Sequence, residues 1–413
     1  MLNRGLRLVV AAMAVAAAAA GCSSSDSSST TTTLGPPVIG EPVTIATGEF
    51  TIYDITAGAA GEHAAVAWND YDEVAAIERP FVATSDDGGA TFGDEVALDP
   101  STPYAAYPQV IVLEDGALLV GATVYEEGDE DGQAALYRSD DGETFEQVAL
   151  APDDAPRVYF SDIGTTTAAS PDGQTVVMAW LTPPEDNAAS GPLVAMVSTD
   201  GGDTFGDVQV LSEEPSPAVP RAVVTGDRAG VAFIDRIPIP NPPAPTPAQP
   251  NPVTATLVAS VALADADGTF ADPVTVQGED TPALPVAPGV AATPDGGLQL
   301  AWWSPDAANA PVLLTATGTA DGTFGDPVEA DHTFEASATV DVAVDGAGGA
   351  WLLTLDGESL MLLEATDTAA TPVSDLSATV TVSADMYDLA PLDVGVLVAS
   401  YEGADVVTRQ VTR

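Results

Sequence analysis

The chain has no lysine, a single cysteine, Cys22, and two histidines, His63 and His332. One thiol cannot form an intrachain disulfide, so no bridge framework holds the fold. Two isolated histidines supply neither a histidine metal cluster nor a serine triad. Positive charge is scarce, with ten arginines against 62 acidic residues and a formal net charge of −52. A surface of that sign repels phosphate backbones and anionic headgroups, which excludes a nucleic-acid partner. The acidic residues are spread along the whole chain, the pattern of a solubilising surface rather than of a focused cation trap. Long apolar runs are missing too, except for "LVVAAMAVAAAAA" at residues 8–20, preceded by Arg4 and Arg7. That run is short for a bilayer span and has the length of a secretory signal core.

The run ends in "AAGC", residues 19–22, which resembles the lipobox of bacterial lipoproteins. The resemblance implies that Cys22 is acylated and becomes the first mature residue, so the only membrane partner is the bilayer that receives the lipid anchor. The Ser/Thr stretch that follows cannot bury apolar surface and reads as a tether. The expected organisation is a lipoprotein signal peptide at 1–21, a lipid-anchored tether at 22–37 and one folded domain at 38–413, placed outside the cytoplasm at the cell surface or in the periplasm. Loss of Arg4 and Arg7 leaves eight arginines against 62 acidic residues, a mature net charge of −54 (8 − 62).

Within the folded domain a single phrase recurs: "SDDGGATFGDEVAL" from Ser85 and "STDGGDTFGDVQVL" from Ser198, with shorter or worn copies from Ser139, Asp265 and Ala320. The aromatic positions are Phe92, Phe145, Phe205, Phe270 and Phe324, with spacings of 53, 60, 65 and 54. A repeat of that length in a chain of short apolar runs predicts four-stranded radial units, an all-β propeller. Tight-turn signals near Gly61, Asp115, Asp172, Asp227, Asp295, Gly346 and Asp393 each precede an apolar strand, which counts seven units, with six as the alternative. The last unit ends a strand short, and "GEPVTIA" at residues 40–46 has the character of the missing outer strand. A closure strand from the N-terminus is therefore expected to complete the ring.

The pattern Ser85, Asp87, Gly89, Thr91, Phe92, repeated at Ser198, Asp200, Gly202, Thr204, Phe205 and one residue short at Ser139, Asp141, Thr144, Phe145, resembles the Asp-box (BNR repeat) of sialidases and related propellers. That resemblance implies hairpins between third and fourth strands, on the face away from the ligand, with structural rather than catalytic aspartates. The chemistry suits a turn: a short carboxylate accepts local N–H groups and glycine supplies positive φ.

The opposite face, made by the connections between units and by the second-to-third-strand loops, should then carry function. It offers Trp68, Asp70 and Tyr71 in the first unit, Trp180 in the third, Arg236 in the fourth and Trp303 in the fifth, aromatics and polar groups of the kind that stack on and hydrogen-bond to sugars. Repeated core packing is the competing reading for the tryptophans. "MYDLAPLDVGVLVASYEG" is similar to the sialidase segment bearing the tyrosine nucleophile, which would make Tyr387 catalytic and require arginines such as Arg157 and Arg221 to hold a substrate carboxylate. The "RIP" at residues 236–238 echoes a sialidase motif but stands in the fourth unit. No cofactor or metal is expected: the acidic loop at 126–132 has oxygen ligands for calcium but not the full spacing of a calcium loop. Proline fills eight of the fifteen positions 238–252, an insertion that cannot pair as strand. These observations favour a binding module for a glycan or protein ligand. The rivals are an exo-sialidase-like hydrolase of an acidic sugar and a structural surface or assembly protein.

Overall fold

A computed structural model describes residues 36–47, 51–72, 77–98, 104–125, 131–159, 164–184, 190–239, 255–276, 282–366, 368–373, 376 and 386–413. Cys22 and the whole signal-and-tether region, residues 126–130 of the acidic loop and residues 240–252 of the proline-rich insertion lie outside them.

Every regular element among the described residues is a strand, and the strands form seven antiparallel sheets. Six are four-stranded meanders in simple sequence order, and the seventh has five strands because the N-terminal segment joins it. The first, innermost strands of the seven blades are Thr51–Ala60, Ala105–Val112, Thr165–Ala169, Arg221–Thr225, Gly289–Ala292, Asp341–Val344 and Tyr387–Pro391. Each of these contacts the next, and the seventh returns to the first, which closes a ring around a central channel. The protein is a seven-bladed β-propeller, and the six-blade alternative is set aside.

Burial explains the strand sequences. Second and third strands of a blade are covered on both faces by the neighbouring blades, so they read as unbroken apolar runs: "VVMAWL" at Val176–Leu181 and "LVAMVS" at Leu193–Ser198 are buried throughout. Outer strands face solvent and are short and polar, as at Val274–Thr275. The core accordingly lies between blades. One cluster joins Leu119 and Leu136 of blade 2 to Met178 and Trp180 of blade 3, and another joins Val177 and Leu181 of blade 3 to Val231 and Phe233 of blade 4.

The seam matches the expected closure. Val43–Thr47 pairs with the last strand, Asp405–Thr412, in a register that sets Val43 opposite Thr408 and Thr47 opposite Asp405. Val38–Ile39 extends the pairing, with Val38 opposite Thr412, and the Gly40 amide donates to the Gln410 carbonyl at 2.8 Å.

Meander geometry assigns two unlike faces. First-to-second and third-to-fourth turns fall at one end of every blade, while second-to-third loops and blade-to-blade connections fall at the other. The first end carries the repeated hairpins. In blade 1 the Ser85 hydroxyl donates to Asp87 Oδ1 (2.8 Å) and accepts the Gly89 amide (2.8 Å), and Asp87 accepts the Thr91 amide (2.8 Å) and hydroxyl (2.6 Å). Blade 3 repeats this with Ser198, Asp200, Gly202 and Thr204. The shorter copy keeps the Ser139 to Asp141 bond and the Thr144 amide on Asp141. Gly89 has φ 89°, and a Cβ there would lie 2.8 Å from Leu397 of blade 7, so this glycine answers both a left-handed turn and a close approach. Phe92, Phe145 and Phe205 pack onto the inter-blade clusters beneath their hairpins.

Candidate functional site at the channel mouth

The innermost strands all begin at the face opposite the hairpins, so their first residues ring the mouth of the channel. Threonine hydrogen bonds near this end join blades 1 to 4. Thr56 of blade 1 donates to the Pro108 carbonyl of blade 2 (3.1 Å) and accepts the Val110 amide (3.2 Å). The hydroxyls of Thr123 in blade 2 and Thr165 in blade 3 lie 3.0 Å apart, and Thr166 accepts the Ala222 amide of blade 4 at 2.9 Å. Adjacent inner strands diverge from a common axis, and short hydroxyls bridge them without filling the lumen.

On the far side, charge replaces hydroxyls. Arg221, the first residue of the blade 4 inner strand, donates through Nη2 to Asp341 Oδ1 at 2.9 Å, and Asp341 opens the inner strand of blade 6. The intervening blade puts Gly289 at the matching position, where a Cβ would stand 2.5 Å from the Val340 carbonyl oxygen, so no side chain blocks the reach. Both partners are shielded, with side-chain exposures of 23% for Arg221 and 8% for Asp341. The Arg221 Nε is buried and has no partner among the described residues.

Asp388, second residue of the blade 7 inner strand, completes the group. Its Oδ2 accepts the Ala57 amide of blade 1 at 2.7 Å and its Oδ1 accepts the Leu389 amide at 2.9 Å. Burial first, and then the negative charge of Asp341, push its carboxyl up to about 8, against the opposing pull of the Ala57 amide and of Arg221. Burial and Asp341 thus favour the neutral form of Asp388, and Arg221 opposes that shift.

A second grouping lies at the same end of blades 1 and 2. Asp54 (φ 54°) and Tyr107 (φ 57°) both take left-handed backbone conformations at bulges in their inner strands. Bulges re-aim side chains, and non-glycine residues hold such angles only where the surroundings enforce them. Asn69 donates to Asp54 Oδ2 at 3.2 Å. Burial raises the Tyr125 phenol above its ordinary value, and the nearby Tyr107, Glu78, Asp54 and Asp131 add to the shift.

The residues expected to bind sugar are placed differently. Trp68, Trp180 and Trp303 are 1%, 0% and 0% exposed, so the stacking-platform expectation is corrected in favour of core packing. Trp68 stacks on Phe81 at 6.2 Å, the Trp180 indole donates to the Pro156 carbonyl at 3.0 Å, and Trp303 meets Phe334 edge-on at 4.8 Å. Indoles fit there because the space between two blades is wide enough for a double ring. Asp70 and Tyr71 end the second strand of blade 1, opposite Arg79 and Glu78. Arg236 ends the second strand of blade 4, away from the inner ring, and Arg157 is half-buried in the connection from blade 2 to blade 3. Among the described residues no hydrogen bond or ion pair brings Arg157 or Arg236 to Arg221.

Tyr387 is also corrected as a free nucleophile. It is 4% exposed, lies in the core between blades 6 and 7, and donates its phenolic proton to the Thr339 carbonyl. Alternation along a strand gives neighbouring residues opposite faces. Tyr387 therefore faces blade 6 and Asp388 faces blade 1, where it accepts the Ala57 amide. Arg221, expected from the sequence, lies here with Asp341 and Asp388, which the sequence reading did not name; their place at the head of an inner strand was the available signal. Among the described residues no group of three or more His, Cys, Asp or Glu side chains is arranged to hold a metal ion, and no helix is long and apolar enough to cross a membrane.

No protein-family model and no curated protein matches the chain. Solved structures do. An α-L-arabinofuranosidase of Fusarium graminearum, in complex with an iminosugar inhibitor, is similar over 92% of this chain and 98% of its own, with TM-score 0.50 and 15% identity. An ulvan lyase of polysaccharide lyase family PL25 is similar over 90% and 96%, with TM-score 0.54 and 9% identity. The β-propeller domain of the Trilobed protease of Pyrococcus furiosus, described as having an open velcro topology, is similar over 89% and 96%, with TM-score 0.51 and 9% identity. At these identities the likeness establishes the propeller fold.

Proposed function

We propose that the protein is an extracytoplasmic, lipid-anchored propeller that binds carbohydrate at the channel mouth, on the face opposite the hairpin repeats. The observation that carries this reading is the convergence of Arg221, Asp341 and Asp388 from three blades at one end of the channel. Paired donors and acceptors on rigid strands, with longer loops above them, are what orients a polyhydroxylated ligand. Two propellers of similar fold are carbohydrate-active by their descriptions, an α-L-arabinofuranosidase and a polysaccharide lyase, which agrees with this choice of ligand class. The repeated hairpins are read as Asp-boxes of the sialidase type, serving as staples, and Cys22 as the lipidated residue that holds the domain at a membrane.

The test is calorimetric titration of the folded domain with a panel of oligosaccharides, repeated with Asp388→Asn after its fold has been checked by circular dichroism. At least one sugar should bind and weaken in the variant. Absence of binding across the panel, or binding indifferent to Asp388, would sink the proposal.

A hydrolytic reading has one observation in its favour. Burial and the neighbouring Asp341 push the Asp388 carboxyl up to about 8, and an acid raised in this way beside a second carboxyl is a pairing that glycosidic cleavage uses. Release of reducing ends from a bound polysaccharide, lost in Asp388→Asn, would move the protein from binder to enzyme. An exo-sialidase mechanism through Tyr387 is disfavoured because its phenol is buried and committed to Thr339.

A further inference from the structure

We propose that the channel mouth selects uncharged sugars and rejects those bearing a carboxylate, because its one central arginine is already neutralised by Asp341 with Asp388 beside it. The inference rests on the carbohydrate-binding reading and names the ligand class that reading leaves open.

A carboxylate ligand is held by a guanidinium whose fork is free to pair with both of its oxygens. Arg221 does not offer that. Its Nη2 is spent on Asp341 at 2.9 Å, and both side chains are mostly removed from water. An incoming carboxylate would have to displace Asp341, leaving a shielded aspartate without its counter-charge and facing a second anion. Uncompensated charge in a shielded site costs far more than an exposed contact returns.

The surroundings add to the exclusion. Asp341 lies close enough to Asp388 to oppose its ionisation, so a ligand anion at this point would face two carboxyls. Asp54, near the start of the blade 1 inner strand, supplies another carboxyl at the same end. Gly289 leaves blade 5 with no side chain to contribute there. In blades 1 and 3 the corresponding side chains are uncharged hydroxyls, Thr56, Thr165 and Thr166, bonded to the neighbouring blades.

The same set suits a neutral sugar. An uncharged ligand leaves the Arg221–Asp341 ion pair intact. Carboxyl oxygens accept from sugar hydroxyls, which need no opposite charge to be held.

The experiment measures binding of wild-type protein to neutral arabino- and cello-oligosaccharides, and to oligogalacturonate and sialyllactose, at constant ionic strength. Free galacturonate is then tried as a competitor, and the titrations are repeated with the double variant Asp341→Asn/Asp388→Asn. Neutral sugars should bind at least ~10-fold more tightly than acidic ones, about 1.4 kcal/mol. Galacturonate should not compete. The double variant, with Arg221 released, should gain affinity for the acidic sugars. Tighter binding of acidic sugars by the wild type overturns the inference while leaving carbohydrate binding intact. Competition by galacturonate, or a folded double variant with no gain for acidic sugars, also overturns it. Should the double variant fail to fold, the wild-type ranking and competition decide alone. Binding of no sugar at all removes the carbohydrate reading and this inference together.

Discussion

Arg221 Nη2 and Asp341 Oδ1 stand 2.9 Å apart although their strands belong to blades 4 and 6, so an ion pair spans a whole blade across the propeller channel. The bond ties together segments of the ring that share no sheet. Arg221→Met should cost about 3 kcal/mol, because it strands a shielded carboxylate, whereas Arg221→Met combined with Asp341→Leu should recover most of that loss. Chemical denaturation of the two variants and the wild type checks this. Equal stability of single and double variants would show that the pair is not coupled.

The shift of Asp388 has a signed consequence. Its folded-state value, about 8, lies above its ordinary 3.8, so the folded protein binds this proton more tightly than the unfolded chain. The contribution to stability is fully present below pH 3.8 and is lost as pH rises through about 8. Melting temperature should fall across that window, and Asp388→Asn should flatten the slope. General charge repulsion produces a similar trend, so the measurement belongs at high salt, where dispersed surface charge is screened and the enclosed carboxyl is not.

The Asp87 hairpin predicts the opposite limb. Hydrogen bonds from the Thr91 hydroxyl, then from its amide and from Ser85, hold Asp87 down at about 2 against an ordinary 3.8. Asp141, Asp172, Asp200, Asp295 and Asp321 are lowered for related reasons in their own turns. These groups contribute stability present above pH 3.8 and lost as pH falls toward about 2. With Asp388, they place greatest stability on the acid side of neutrality. Replacing Asp87 and Asp200 by asparagine should lower the melting temperature slightly at pH 7 and weaken the loss on acidification. An unchanged acid limb would deny the hairpins that role.

Closure should be separable from tethering. Deleting residues 38–47 removes both segments that pair with Asp405–Thr412 and exposes the edge of the last blade, while deleting 24–33 touches nothing in the described ring. The first deletion should lower the melting temperature by several degrees or cause aggregation, and the second should leave it alone. Indistinguishable melting curves would show that the seam contributes little.

Cys22→Ser tests the anchor. The wild-type chain should partition with membranes and carry a lipid detectable by mass spectrometry, and the variant should lose the lipid with its propeller intact. A wild-type chain found in the soluble fraction with an unmodified thiol would refute lipidation.

The propeller was legible in the chain because its signals are local and repeated. A hairpin needs a carboxylate, a glycine and an anchoring aromatic within a few residues, as in Asp87, Gly89 and Phe92, so each copy advertises itself. Apolar runs such as Val176–Leu181 are dictated by burial on both faces, and their spacing counted the blades. The missing outer strand could be sought at the N-terminus because a sheet edge demands a partner of matching pattern.

The mouth was not legible in the same way. Arg221, Asp341 and Asp388 are far apart in sequence and share no motif; ring closure alone sets them at one end of one channel. Whether a tryptophan at a strand end faces ligand or core depends on the width of the gap to the next blade, which buried Trp68, Trp180 and Trp303 alike. Between Tyr387 and Asp388 the choice was made by the pleat, one step of which turns a side chain from blade 6 to blade 1. Local chemistry thus determined the repeating unit from sequence alone, while the tertiary arrangement of seven copies decided which residues meet at the centre, because contacts between blades depend on positions around the ring and not on neighbours along the chain.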